Sequence, residues 1–212
     1  MLALQRSDCL LDLGSGDGYW TARFARSCAK VVGLEPNLQA LSLASIVSPG
    51  RHMKCVRGVG ERLPFMESSF DKIVSVSSLE HFTRPEQAIR EMHRVLKPGG
   101  RIALSVDSLL PENSHPRFRE WHRRRHFVTT YFREDELASM FQEAGLRFDP
   151  SLTSHLFRSW IASKVREIYI RRPKMLLPVF PIFYVAARIA DLLLDELPGQ
   201  MLLVCGSKPP GA

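Results

Sequence analysis

Residues 10–20 read LLDLGSGDGYW, an aliphatic run followed by three glycines at alternate positions, Gly14, Gly16 and Gly18. Such a run is a buried strand, and glycines directly behind it either bend the chain through conformations a Cβ forbids or let another group approach the backbone. A strand that feeds a glycine turn and then a helix is also the opening unit of a parallel α/β sheet, whose ligands collect at the carboxyl ends of the strands. The pattern Asp12-x-Gly14-x-Gly16-x-Gly18 departs from the dinucleotide fingerprint G-x-G-x-x-G, which needs glycine where this chain has Tyr19. A pyrophosphate is thereby disfavoured. A nucleoside with a small polar tail fits better, with Gly14 keeping space for the tail and the ribose reaching the tip of the next strand. That tip carries Glu35 in VVGLEP, seventeen positions after Gly18. The spacing is near the roughly 20 residues expected of a carboxylate that accepts from ribose hydroxyls.

Short aliphatic runs alternate with helix-like segments through the first two thirds of the 212 residues. This alternation predicts a Rossmann-like, mostly parallel sheet with helices on both faces. Seven strands are expected, at 9–13, 30–34, 53–57, 72–76, 101–106, 147–149 and 201–206. The first helix has Trp20, Phe24 and Ala25 at helical spacing; RPEQAIREMHRVLKPGG opens on proline and stops at Pro-Gly-Gly; REDELASMFQEAG turns Leu137, Met140 and Phe141 inward and ends at Gly145. Residues 152–200 break the pattern as a helical insertion before the last strand, within a single domain spanning 1–212. Phe157, Trp160, Ile161, Val165 and Ile168 recur at helical spacing. After Pro178 and Pro181 a second helix is expected to bury Ile182, Val185, Ile189, Leu192 and Leu193, with Tyr184, Arg188, Asp191 and Asp195 as its polar stripe.

The formal charge of +7 points to an anionic partner or a solvated basic face, and the cations concentrate in RFREWHRRRH (117–126) and VREIYIRRPK (165–174). Cys9, Cys28, Cys55 and Cys205 form no CxxC pair and no metal-ligand spacing with histidine, so they read as buried free thiols and no metal is expected. The N-terminal residues lack a cleavable signal pattern, which predicts a cytoplasmic protein. The thirteen uncharged residues MLLPVFPIFYVAA (175–187) are too few to span a bilayer and are interrupted by prolines. With Arg171, Arg172 and Lys174 before them, they suit peripheral membrane contact through 165–197, or a helical hairpin packed on the sheet or on a second copy.

Four landmarks in order, LDLGSGDG, VVGLEP, GERLPFMESSFDKIVSVSSLEHF and EMHRVLKPGG, resemble the class I S-adenosylmethionine (SAM) dependent methyltransferases of the methyltransferase type 11 domain family. The resemblance covers residues 9–106 closely, and YFREDELASMFQEAGLRF continues it more loosely. It implies the strand order 3-2-1-4-5-7-6, with the last strand antiparallel and SAM over the carboxyl ends of strands 1 and 2. It also implies that Asp12, Gly14, Ser15, Gly16 and Gly18 meet the methionine part, Glu35 the ribose, and Pro36 or Asn37 the adenine. Gly60 and Glu61 would close the adenine's other side, and Ser77 would complete the cofactor site. Val59 stands where such chains often carry an aspartate toward the adenine amine.

SAM is an activated methyl donor, so an enzyme of this kind mainly aims the nucleophile and removes a proton from a hydroxyl acceptor. His81 in SSLEHF is the first choice for that base, with Glu80 beside it. His115, His122 and His126 fall on the expected loop after strand 5, and Tyr131 is a further pocket candidate. Ser77-Ser78-Leu79-Glu80 is neither the Asn/Asp-Pro-Pro-aromatic motif of amino-methylating nucleic-acid enzymes nor the Pro-Cys of cytosine C5 enzymes. A small-molecule or lipid-linked acceptor, methylated at oxygen, is expected. An RNA-directed enzyme, a non-catalytic SAM-binding protein and an NAD-linked reductase are the rival readings.

Overall fold

The protein is described here by a computed structural model that covers residues 2–47, 52–171, 182, 185, 186, 189–191 and 198–211. Its strands are β1 (Cys9–Leu13), β2 (Lys30–Glu35), β3 (Met53–Arg57), β4 (Phe70–Val76), β5 (Leu96–Asp107), β6 (Arg147–Phe148), β7 (Ser154–Leu156) and β8 (Met201–Ser207). The helices are α1 (Tyr19–Phe24), α2 (Leu38–Val47), α3 (Pro85–Val95), α4 (Pro116–His126), α5 (Glu134–Glu143) and α6 (Trp160–Arg171).

The strands form one sheet in the order β3-β2-β1-β4-β5-β8-β6. β1 to β5 pair in parallel and β8 runs antiparallel to β5. This is the expected order with β8 as the last strand. An eighth strand, β7, was not expected, because nothing in 152–200 alternates. Its origin lies in β8: β6 covers only Gly206 and Ser207, and β7 takes over the same edge at Met201–Leu203. Between them Pro150, which has no N–H to donate, opens a short 3-10 turn. An otherwise bare edge is thereby paired.

Alternation along β1 sends Leu11 and Leu13 to the larger core cluster and Leu10 to the smaller one on the opposite face. α3 seals the larger side with Ala88, Ile89, Met92 and Val95, and α5 with Leu137 and Phe141, as their spacing predicts. α1 differs from expectation. Trp20 is 46% exposed and Thr21 is the buried residue, since the Thr21 hydroxyl donates to Asp12 Oδ2 at 2.6 Å and fixes the roll of the helix.

The insertion shows the largest departure. In α6 the apolar residues Trp160, Ile161 and Ile168 face outward, whereas Ala162, Ser163, Arg166 and Glu167 are buried. Asp191, expected on a polar stripe, is buried and accepts from the backbone N–H groups of Phe157, Arg158 and Ser159 at 2.7–2.8 Å, anchoring the start of α6. Ile182, Val185 and Ile189 are exposed instead of buried. Tyr184, Arg188, Leu192, Leu193 and Asp195 lie outside the described residues, as does most of 175–187. No helix among the described residues is long and apolar enough to cross a membrane.

Candidate functional site

The glycine turn sits where β1 and β2 end side by side. The N–H groups of Gly14 and Ser15 both donate to Leu34 O, at 2.9 and 3.0 Å. Gly14 has φ +75°, and a Cβ there would lie 2.4 Å from the Ser78 Cβ. The group that passes close to the backbone at Gly14 is therefore Ser78, whose hydroxyl donates to Leu13 O at 2.9 Å and ties the ends of β1 and β4 together. Gly16 is different: its φ is +55° and a Cβ there would meet nothing within 4 Å. The open side of the turn is at Gly16. Gly18 is the N-cap of α1.

Glu35 reaches across to this turn, accepting from Gly16 N at 3.0 Å through Oε2 and from Asn37 N at 2.9 Å through Oε1. Asn37 in turn accepts from Gln39 N at 2.8 Å, at the start of α2. Asp12 lies beneath the turn rather than in a cavity; burial pushes its pKa up to about 6, against the Thr21 hydrogen bond. The Ser15 hydroxyl is buried with no hydrogen-bond partner among the described residues.

Two cavities open at this end of the sheet. The first, about 160 Å³, is bounded by the β1 and β2 tips at Gly14, Leu34 and Pro36, by Gly58 to Glu61, and by His81, Phe82 and Thr83. Val59 lines it, and Gly60 packs under the Phe82 ring. The Glu61 carboxylate is engaged elsewhere, accepting from Thr83 N at 3.0 Å and Arg84 N at 3.3 Å ahead of α3.

The second cavity, about 360 Å³, has a polar wall of Ser77, Glu80, His81, Asp107, His122, His126 and Arg166. Its apolar wall is Phe157, Val165, Tyr169, Ile170 and Met201. Ser77, expected beside the cofactor, lines this second cavity and not the first. His81 lines both. Its Nδ1 stands 3.3 Å from Phe127 O. A carbonyl only accepts, so Nδ1 carries the hydrogen, and in the neutral ring the lone pair is then on Nε2.

Glu80 is fully buried. Burial first, and the Asp107 charge second, push its pKa up to about 8, so at pH 7 it is a carboxylic acid rather than a base. Asp107 accepts from Arg166, faces His122 Nε2 at 3.5 Å, and donates its own N–H to Glu80 Oε1 at 3.3 Å. His122 Nδ1 lies 3.0 Å from the Tyr131 hydroxyl, and burial drives the His122 pKa down to about 4 despite Asp107. Burial likewise raises Tyr131 to about 12.

The histidines expected on a loop belong to a helix: His115 caps α4, accepting from Arg117 N at 3.2 Å, while His122 and His126 project from it into the cavity. Asp107 and Arg166 escaped the sequence reading. Asp107 ends its strand in ALSVD much as Asp12 lies near the end of LLDL, and Arg166 stands among the apolar residues of α6; these were the available signals. Among the described residues no cluster of His, Cys, Asp and Glu is placed to hold a metal, and all four cysteines are free thiols.

Glu80 carries a pH signature. An unfolded chain releases the proton near the ordinary value of 4.5, whereas the folded protein keeps it until about pH 8. Its contribution is therefore complete below pH 4.5 and is lost as pH rises to about 8. His122 acts in the other direction and below pH 6.5, where the unfolded ring protonates and the buried one does not. Between pH 6.5 and 8 Glu80 dominates, so urea unfolding of Glu80→Gln should lose less stability over that interval than the wild type. Equal losses would place the ionised form inside the fold.

The profile of the methyltransferase domain family matches residues 11–104. An uncharacterized methyltransferase of Mycobacterium tuberculosis is 40% identical over 96 residues, which cover 45% of this chain and 38% of the relative. The chain thus spans well under half the length of the mycobacterial relatives it matches. The YcgJ protein of Bacillus subtilis superimposes with a TM-score of 0.71 at 21% identity, over 99% of this chain and 95% of that one. Phosphoethanolamine N-methyltransferase 2 of Haemonchus contortus, solved with S-adenosyl-L-methionine, gives 0.73 at 13% identity, over 97% and 50% of the two chains. These two likenesses show the fold. Residues 11–104 of the chain thus carry the match to the methyltransferase domain, and the strand order agrees with it.

Proposed function

We propose that the chain transfers a methyl group from SAM to a hydroxyl of a small-molecule or lipid-linked acceptor. The observation that carries this reading is that two cavities, one beside the glycine turn and one between Glu80, Asp107 and α6, share His81 as a common wall. Gly14 and Pro36 line the first; beside it the turn at Gly16 would take the methionine part and Glu35 the ribose hydroxyls, in exchange for its bonds to Gly16 and Asn37. Pro36, Gly60 and Glu61 border the space left for adenine, where Val59 offers no side-chain polar group. The residues present fit a nucleoside with a short charged tail.

When bound, SAM supplies an electrophilic methyl, so the chain's own residues position the acceptor and take its proton. His81 lines both cavities, and with Nδ1 turned to Phe127 O its Nε2 is the proton acceptor in this reading. Protonated Glu80 cannot compete for that role at pH 7. The apolar wall of the second cavity suits the hydrocarbon or aromatic body of an acceptor that places its hydroxyl toward His81. His81→Gln should lower kcat by about a hundredfold, the lower end for a lost general base. Its affinity for S-adenosylhomocysteine should stay within a few-fold of wild type, measured with radiolabelled SAM and lipid extracts as acceptor. A variant that loses cofactor affinity but keeps kcat would remove His81 from the base role.

A further inference from the structure

We propose that α4 and the outward face of α6 form one docking surface for an anionic lipid bilayer. Trp160, Ile161, Lys164, Ile168 and Arg171 share one face of α6 by helical spacing. Trp160, Ile161 and Ile168 are exposed there, Trp160 by 63%. The helix cannot roll to hide them, because Asp191 holds its start and buried Arg166 binds Asp107. The stripe ends at Arg171, whose guanidinium lies 5.1 Å from the Phe118 ring and 5.4 Å from the Trp121 ring of α4.

Trp121 lines a shallow trough with Arg117, Arg124 and Arg125, in which the one acid, Glu120, is paired to Arg124. α4 then ends at Phe127, which is 81% exposed in the left-handed conformation that closes the helix. Arginines beside exposed indole, phenyl and aliphatic groups match the boundary between phosphate headgroups and acyl chains. A nucleic acid would engage the arginines but would leave Ile161 and Ile168 in water. The same two helices supply His122, His126, Val165 and Tyr169 to the second cavity, so docking would bring that cavity beside the bilayer.

The test is sedimentation of the full chain with vesicles, without cofactor, which keeps its outcome separate from that of the methyl-transfer reading. The chain should bind mixed phosphatidylcholine and phosphatidylglycerol vesicles, release them at high salt, and ignore pure phosphatidylcholine. Arg124→Glu/Arg125→Glu should lower the partition coefficient about 25-fold or more, since each surface cation contributes about 1 kcal/mol, or about fivefold. Phe127→Asn, which tolerates the left-handed backbone, should lower it roughly tenfold through lost apolar insertion. Should the double variant fail to show the wild-type unfolding transition, Arg117→Glu replaces it. Equal binding to both vesicle types, unchanged partition in the variants, or capture of single-stranded RNA with no vesicle binding would overturn the proposal.

Discussion

Asp107→Ala should destabilise the protein by about 3–5 kcal/mol, the range for breaking a buried ion pair from one side. Asp107 and Arg166 are both almost fully buried and bind each other, and His122 faces the same carboxylate at 3.5 Å. Removing the carboxylate leaves the Arg166 guanidinium with Gln200 Oε1, a long contact at 3.4 Å. Glu80 modulates the loss. It is protonated at neutral pH partly because Asp107 is near, so without Asp107 it ionises more readily and offers Arg166 a substitute. The loss should accordingly be smaller at pH 8 than at pH 6. Asp107→Ala/Arg166→Met should recover most of the stability, because no uncompensated charge remains. Guanidinium unfolding of the single and double variants measures both; a single variant within 1 kcal/mol of wild type would mean that the pair is solvated in solution.

Gly14→Val should be the most damaging change in the turn, and for a reason the sequence alone did not reveal. The spacing of the glycines suggested that Gly14 keeps room for a bound tail. In the fold its Cβ position is filled by Ser78, and its φ of +75° adds strain for any L side chain. Left-handed strain of about 1–2 kcal/mol and overpacking of about 1–3 kcal/mol give a loss of about 2–5 kcal/mol. Cofactor binding should vanish with it, because Ser78 must leave Leu13 O and the turn must move. Gly16→Ala is the contrasting case. Its Cβ enters open space, so only the strain of about 1–2 kcal/mol applies and the protein should fold. Weakened cofactor binding in that folded variant would then report occupancy of the space itself. If Gly14→Val folds as well as Gly16→Ala, the contact with Ser78 does not set the turn.

The parallel half of the sheet was legible because β1 and β2 are short aliphatic runs buried on both faces, and the strands are punctuated by Gly, Pro and helix caps. β7 was not, because three residues pairing along a vacated edge have no alternation to read. The α6 face was misread for a physical reason: a helix usually hides Trp and Ile, but here Arg166 and Glu167 turn inward and Trp160 and Ile168 outward. Periodicity reports the two faces of a helix and not which one has a partner. The glycine turn and the carboxylate that reaches it were visible through Gly14, Gly16 and Glu35 together. The second cavity was legible in part, in Glu80, His81, His122 and His126, whereas Asp107 and Arg166 were not, since they meet these groups across long sequence separations.

The groove beside the glycine turn is proposed to hold SAM. Calorimetric titration of the purified chain with S-adenosylhomocysteine, with NADH in parallel, tests it most directly. Micromolar binding of S-adenosylhomocysteine alone, weakened in Gly16→Ala, is the predicted result. No binding of S-adenosylhomocysteine, or tight binding of NADH, would rule out SAM as the ligand of this groove.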